Sequence, residues 1–417
     1  MSFAWSRARG WALVGAAAFL LRLFFILGHA HIPLSGDALG YNQYAVHLLD
    51  EGRYADDSGA RASRMPGYPF FLAAVYSLSG RSTRPIQIAQ CLLGALTCVF
   101  IAVLAEGFLP APWPLIAGLL AACYFDLIAP CRFVLSESLY QFFLAASFAG
   151  LYRFNWKPIF RAAAFGVSVG AAYFFRPEAL VPGLAALALA PLIKDLNFNW
   201  GRSLAAAAVI AAMMAPWIAR NKIVFNRWIP SSTMGGFTLY SGLAWPLKRR
   251  ALISEPFYSP PPGTSELAAD AAYKAQFKSL WIRAGLDRLL KAYAFNFSTL
   301  FYPFLPGYDA TFMLLLPFWL AAIFMSLKRP ALIPLSIAVL SSIAVYTIFG
   351  GPVSRYRQEY APLAVCLAVA GLYEFWKRRP EVLKRAGPAW AALNFVIWLF
   401  PQGSRHFMIA MRNLVFR

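Results

Sequence analysis

Ile86-Gln87-Ile88-Ala89-Gln90-Cys91-Leu92-Leu93-Gly94-Ala95-Leu96-Thr97-Cys98-Val99-Phe100-Ile101-Ala102-Val103-Leu104-Ala105 runs without a single charged residue. An α-helix needs roughly 20 apolar residues to cross the hydrocarbon of a bilayer, and this stretch supplies them. It lacks the period-two alternation of a membrane β-barrel strand, so the backbone groups must be satisfied within a helix. The stretch therefore reads as a transmembrane helix, extending over about 86–107.

Comparable runs lie near 11–29, 113–129, 137–153, 162–175, 178–193, 203–219, 310–327, 331–349, 361–376 and 388–400. The expected fold class is an all-α integral membrane protein, a single membrane domain over 1–417 with about eleven transmembrane helices. Composition agrees: 60% of the 417 residues are hydrophobic and 13% charged, against about 25% charged in soluble domains. Gly28-His29-Ala30 after the first run resembles a signal-peptidase site, but the run is long and holds Arg22, so retention of this helix is expected. A charge at that depth should face protein, and an ion pair suits Arg22 better than a substrate contact.

Basic residues fall on alternate connections: Arg7/Arg9, Arg153/Lys157/Arg161, Lys194/Arg202, Lys328/Arg329 and Lys377/Arg378/Arg379/Lys384/Arg385. The positive-inside rule assigns these to the cytoplasm. Two long segments, 30–85 and 220–309, then lie on the outer side and are expected to contain interfacial helices. The second is itself basic, from Arg220 to Lys291, and contributes to a net charge of +20. Long loops translocate largely regardless of charge. A basic outer surface suits an anionic ligand such as a lipid phosphate, or attraction to phospholipid headgroups. Nothing resembles a nucleic-acid module, a Gly-x-Gly-x-x-Gly dinucleotide turn or a phosphate loop. Cys91, Cys98, Cys123, Cys131 and Cys366 lie almost wholly in apolar runs and read as small core residues, with no disulfide framework.

Within the first outer segment, Tyr41, Tyr44, Ala45, Leu48 and Leu49 follow Asp37 at helical spacing. Asp37 then sits near a helix N-terminus, where the dipole favours an ionised carboxylate and where capping is the bland alternative. Pro66 and Pro69 fix a turn before the apolar run Phe70–Leu78, and Arg64 beside that turn could reach back to Asp37. Glu137 starts a span within Ser136-Glu137-Ser138, as a capping residue or a second site carboxylate. Arg64, Arg176, Arg220, Arg355 and Arg357 stand at outer ends of spans or in outer loops. Each is a snorkelling anchor or a bidentate phosphate ligand. His29, His31 and His47 leave a divalent metal open without requiring one, and His406 has no evident partner.

These residues together resemble the C-type glycosyltransferase superfamily, within it the bacterial relatives of protein O-mannosyltransferase and of the lipid A aminoarabinose transferase. The resemblance rests on Gly36-Asp37 with Tyr41 and Ala45, Arg64-x-Pro66-Gly67-Tyr68-Pro69, Leu135-Ser136-Glu137-Ser138-Leu139 and Arg176-Pro177-Glu178-Ala179. It continues in Pro216-Trp217-x-x-Arg220-Asn221, Gly235-Gly236-x-x-Leu239-Tyr240-x-Gly242 and Arg355-Tyr356-Arg357 with Pro362, spanning nearly the whole chain. It implies a polytopic enzyme of the bacterial inner membrane that takes a sugar from a polyprenyl-phosphate carrier to a lipid, glycan or protein hydroxyl on the outer face. It also implies Asp37 as catalytic base, Glu137 as its helper, and Tyr41, Arg64, Tyr68, Arg176, Arg220, Tyr240, Arg355 and Arg357 around the substrate. No particular cofactor is called for, and a divalent metal stays open. Ala38 stands where protein O-mannosyltransferases carry a second acid, which disfavours protein mannosylation. A lipid or glycolipid transporter is the alternative, although no internal repeat or broken span is apparent in the sequence.

Overall fold

The computed structural model describes residues 2–30, 32–153, 155–304 and 307–415, with side chains at 2–6, 407 and 410–415 left aside. It is helical throughout, and the only β pairing among the described residues is an isolated bridge between Phe304 and Tyr308. Helix α1 (Ser2–Leu27) leads into α2 (Asp37–Glu51) and α3 (Gly67–Ser79) in the first long connection, and α4 (Thr83–Ala105) follows. Next come α5 (Trp113–Cys123), the short α6 (Phe125–Ile128), α7 (Glu137–Leu151), α8 (Pro158–Phe175), α9 (Leu180–Leu189) and α10 (Trp200–Phe225). The second long connection holds α11 (Gly235–Arg249) and α12 (Glu266–Leu300). The chain then forms α13 (Ala310–Met325), α14 (Ile333–Phe349), α15 (Arg357–Arg378), α16 (Pro380–Leu399) and α17 (Pro401–Val415).

Among the described residues, five helical segments are long and apolar enough to cross a membrane: Arg7–Leu27, Thr83–Ala105, Pro158–Phe175, Trp200–Phe225 and Pro330–Phe349. The chain is thus a multi-pass helical membrane protein. Several other expected spans are shorter or different in kind. Helix α7 has 15 residues, a rise of about 22 Å against about 30 Å of hydrocarbon. Helix α15 is buried without interruption from Glu359 to Gly371 and packs against α13, α14 and α7.

The run at 113–129, expected to be continuous, is instead broken. Tyr124 is extended (φ −76°, ψ 120°), and the segments on either side meet at 70°. No proline or glycine sits at the break. Tertiary partners hold it: the Phe125 N–H donates to Thr311 Oγ1 (3.0 Å) and the Asp126 carboxylate accepts from Arg357 Nε (2.7 Å). Helix α12 is likewise two helices joined at Gly285, whose φ of 73° only glycine adopts readily.

Arg22 is fully buried, as a charge at that depth must be. The expected ion pair is absent, however: no carboxylate meets it among the described residues. Its guanidinium donates to the carbonyls of Ala18 (3.0 Å) and Ala122 (3.4 Å) and contacts Cys98 Sγ at 3.2 Å. Cys91, Cys98, Cys131 and Cys366 are buried as expected, whereas Cys123 at the break is exposed.

Helix ends sort into two faces. At one, Glu106 lies within 3.7 Å of Arg7 and 3.9 Å of Arg153, and the buried Glu374 pairs with Arg329 and Arg378. At the other, the two long connections lock together. Glu266 accepts from the N–H groups of Arg61 (2.7 Å) and Ala62 (3.1 Å) and from Thr233 Oγ1 (2.7 Å), while the Thr233 N–H donates to the Ala62 carbonyl (2.8 Å).

Candidate active site

Helix α2 opens at Asp37, preceded by Gly36 at φ 53°. Asp37 is the first helical residue, with Gly36 in the N-cap position. Its two carboxylate oxygens point at two arginines: Oδ1 accepts from Arg64 Nη2 (2.9 Å) and Oδ2 from Arg355 Nη2 (2.7 Å). Burial raises the Asp37 pKa, but the Arg64 charge, the Arg355 hydrogen bond and the charges of Arg355 and Arg176 together outweigh it and hold the carboxyl below its ordinary 3.8.

Two different devices deliver those arginines. Arg64 precedes the proline turn, and Gly67, where α3 begins, lets the backbone of α8 approach closely. A Cβ there would lie 2.7 Å from the Phe174 carbonyl oxygen. Arg355 sits on the 3-10 turn Ser354–Tyr356 before α15. The Arg64 guanidinium lies 5.5 Å from the Tyr41 ring, within cation–π reach. Tyr41 in turn meets Tyr68 edge-on at 5.0 Å. Tyr68 is fully buried and donates to Gln90 Oε1 (2.6 Å), so it supports Tyr41 from behind.

A second tier lies beneath. Glu137, first residue of α7 and buried, takes Arg176 Nη2 on Oε1 at 2.8 Å and has Arg355 Nε at 3.9 Å. Arg176, between α8 and α9, also has its Nε 3.1 Å from Glu359 Oε1, a charge contact not aligned as a hydrogen bond. The charges alternate from Arg64 through Asp37, Arg355, Glu137 and Arg176 to Glu359. Glu359 escaped the sequence reading, although a carboxylate two residues beyond Arg357 at the start of a span calls for a cation.

The structure separates three other expected site residues from Asp37. Arg357 is buried between Asp126 and Asp309 and donates to the Tyr302 carbonyl (2.8 Å). This pins the broken span to α15, and Arg357 also lines the cavity that Glu137 and Arg355 line. Arg220 is held by the carbonyls of Arg61 (2.8 Å) and Tyr54 (3.4 Å) and flanked by the Tyr54 and Trp217 rings, so it fastens the first connection to α10. Tyr240 packs with Phe257, Tyr258 and Tyr273 in the α11–α12 unit, its hydroxyl accepting from the Tyr258 N–H at 2.8 Å.

Glu137 and Arg355 form one wall of a cavity of about 780 Å³. Phe25, Phe125, Phe133 and Phe304 make it largely apolar, while Arg132, Arg249 and Arg405 add positive charge. Glu137 Oε2 is buried beside it without a hydrogen-bond partner. Arg249 and Arg405 come from the ends of α11 and α17, too far along the sequence to be grouped by spacing.

No three His, Cys, Asp or Glu side chains form a metal set among the described residues. His29 Nδ1 lies 2.7 Å from the Phe25 carbonyl, and His47 Nδ1 lies 2.9 Å from that of Ala55, with Asp57 at 3.3 Å from Nε2. His31 falls outside the described residues. Asp37 and Glu137 face arginines, an arrangement that does not fit a cation between them.

No family model matches the chain, and no curated protein sequence matches it. Solved structures do. ArnT from Cupriavidus metallidurans bound to undecaprenyl phosphate superposes with a TM-score of 0.55 at 15% identity, over 88% of this chain and 60% of ArnT. The oligosaccharyltransferase AglB from Archaeoglobus fulgidus, in complex with an inhibitory peptide and a dolichol-phosphate, gives 0.56 at 12% identity over 94% of this chain and 54% of AglB. The Archaeoglobus fulgidus oligosaccharyltransferase with Zn and sulfate gives 0.55 at 15% identity, over 93% and 52%. The fold is that of these membrane glycosyltransferases, in agreement with the resemblance carried by the motifs. The chain spans about three fifths of ArnT and just over half of the oligosaccharyltransferase.

Proposed function

We propose that the protein transfers a sugar from a polyprenyl-phosphate carrier to a hydroxyl of a lipid, glycan or protein acceptor at the face of the membrane that carries Asp37. One observation carries this reading: a carboxylate is flanked by two arginines, and one of these, Arg355, lines with Glu137 a cavity that combines phenylalanines with further arginines. A lipid-linked anion needs that combination, with apolar walls for its chain and arginines for its phosphate. The neighbours' bound undecaprenyl phosphate and dolichol-phosphate accord with it.

In the proposed step Asp37 takes the proton from the acceptor hydroxyl as that oxygen attacks the anomeric carbon. The new C–O bond forms while the bond from the anomeric carbon to the phosphate oxygen breaks, and the electron pair leaves on the phosphate. A single displacement inverts the anomeric centre. The phosphate leaves without protonation, so no second acid is needed, unlike glycoside hydrolysis. The unpartnered Glu137 Oε2 suits a sugar hydroxyl as donor. Basic residues at the opposite helix ends support placing Asp37 outside, on the periplasmic side of an inner membrane.

The test is turnover of purified protein on a panel of polyprenyl-phosphate sugars. Asp37→Asn should lower transfer by about 10²–10⁴, the usual worth of a general base, with folding unchanged. Near-normal turnover by that variant would overturn the base assignment. The broken span at Tyr124 favours a second reading, a lipid or glycolipid transporter. Lipid translocation in proteoliposomes that does not depend on the sugar would select it.

A further inference from the structure

A base whose two oxygens are both tied to guanidinium groups is a poor base, because each charged hydrogen bond favours the ionised form and resists its protonation. Asp37 is in that state, with Arg64 on Oδ1 and Arg355 on Oδ2. Asp37, Arg64 and Arg355 retain 36%, 24% and 37% of their side-chain surface exposed, so an incoming anion can reach all three. Arg355 lines the cavity directly, and its Nε is buried without a hydrogen-bond partner, 3.9 Å from Glu137. By contrast Arg176 and Arg357 are each already engaged by two carboxylates, and Arg357 is buried.

We infer that Asp37 and the phosphate of the lipid donor compete for the same two arginines, so that donor binding withdraws Arg64 and Arg355 from Asp37 and thereby switches the carboxylate on as a base. The inference rests on the proposed glycosyl transfer and adds a gate to it. With the site empty, Asp37 is quenched and idle. When a phosphodiester enters, the guanidiniums rotate onto its oxygens and leave Asp37 facing the acceptor hydroxyl. Proton transfer then goes to a carboxylate with fewer donors on it. After transfer the phosphate departs with the carrier, the arginines return, and the proton on Asp37 is expelled to water. The gate also limits wasteful chemistry, since an activated base is present only beside a loaded donor.

Competition has a consequence that a simple base or a structural ion pair lacks: removing the Asp37 charge should tighten anion binding. The experiment measures the affinity of full-length protein in detergent for undecaprenyl monophosphate by quenching of intrinsic tryptophan fluorescence. Asp37→Asn should bind roughly tenfold or more tightly than wild type, the size of one charge-assisted hydrogen bond. Arg64→Gln and Arg355→Gln should each bind at least about tenfold more weakly. The gain from Asp37→Asn should disappear in the Asp37→Asn/Arg64→Gln/Arg355→Gln variant. Asp37→Ser provides a second neutral variant, and thermal melting checks that each protein is folded. Equal or weaker binding by the folded Asp37→Asn and Asp37→Ser proteins overturns the gate, as does failure of the lipid to bind wild type and both variants. Turnover is scored separately: tight binding with retained transfer by Asp37→Asn would keep the competition and remove the base, whereas lost transfer with unchanged affinity would do the reverse.

Discussion

At Asp37 the chemistry turns on which groups share the two carboxylate oxygens. The neighbouring arginines depress its pKa, so the folded protein is stabilised by the ionised form above the unfolded value near 3.8 and loses that contribution as pH falls through the lower folded value. In a pH series, kcat/KM should therefore show no limb from Asp37 between about pH 5 and 8, because the free protein keeps it ionised throughout. The presence of Asp37 after the first span and the reach of Arg64 back to it were legible in order and spacing. The roles of Arg220, Tyr240 and Arg357 were not separable by sequence, because an arginine at a helix end looks the same whether it holds phosphate, carbonyls or two aspartates. What divides Arg355 from Arg357 is the partner each finds: Asp37 for the one, Asp126 and Asp309 for the other.

At the scale of elements, the broken span and α15 form one unit through Arg357. Arg357→Met would leave Asp126 and Asp309 buried together without a cation, and should destabilise the protein by about 3–5 kcal/mol, read as a lower melting temperature in detergent. Combining it with Asp126→Asn and Asp309→Asn should recover part of the loss, since an unpaired buried charge is the main cost. Gly67 is the corresponding point between α3 and α8. With the Phe174 carbonyl 2.7 Å from any added Cβ, Gly67→Ala should force the helices apart at a cost of about 1–3 kcal/mol. It should also weaken donor binding through displacement of Arg64 and Arg176. Helix α2 was legible from its apolar spacing. The turn at Tyr124 was hidden, because partners on α13 and α15 hold it and no residue in the run marks it.

For the whole molecule, the two-faced distribution of charge gives a topology test. Single cysteines at Asp57 and at Lys194, in a background lacking the native thiols, should be labelled by a membrane-impermeant maleimide from opposite sides of sealed vesicles. Labelling of both from the same side would refute the assignment of faces. The sequence alone determined that the chain is a helical membrane protein, because long uncharged apolar runs have few other stable states in water or lipid. It also pointed to polar chemistry at helix ends and connections, since charges are costly inside the bilayer, but placed it in the two long connections, whereas Glu137, Arg176, Arg355 and Glu359 come from outside both. Tertiary structure alone decided that α15 is buried along most of its length and that Asp37, Glu137 and Glu359 interleave with Arg64, Arg355 and Arg176. The physical reason is distance along the chain. Asp37 and Arg355 are 318 residues apart, and their encounter depends on how many helices pack between them, which no local pattern encodes.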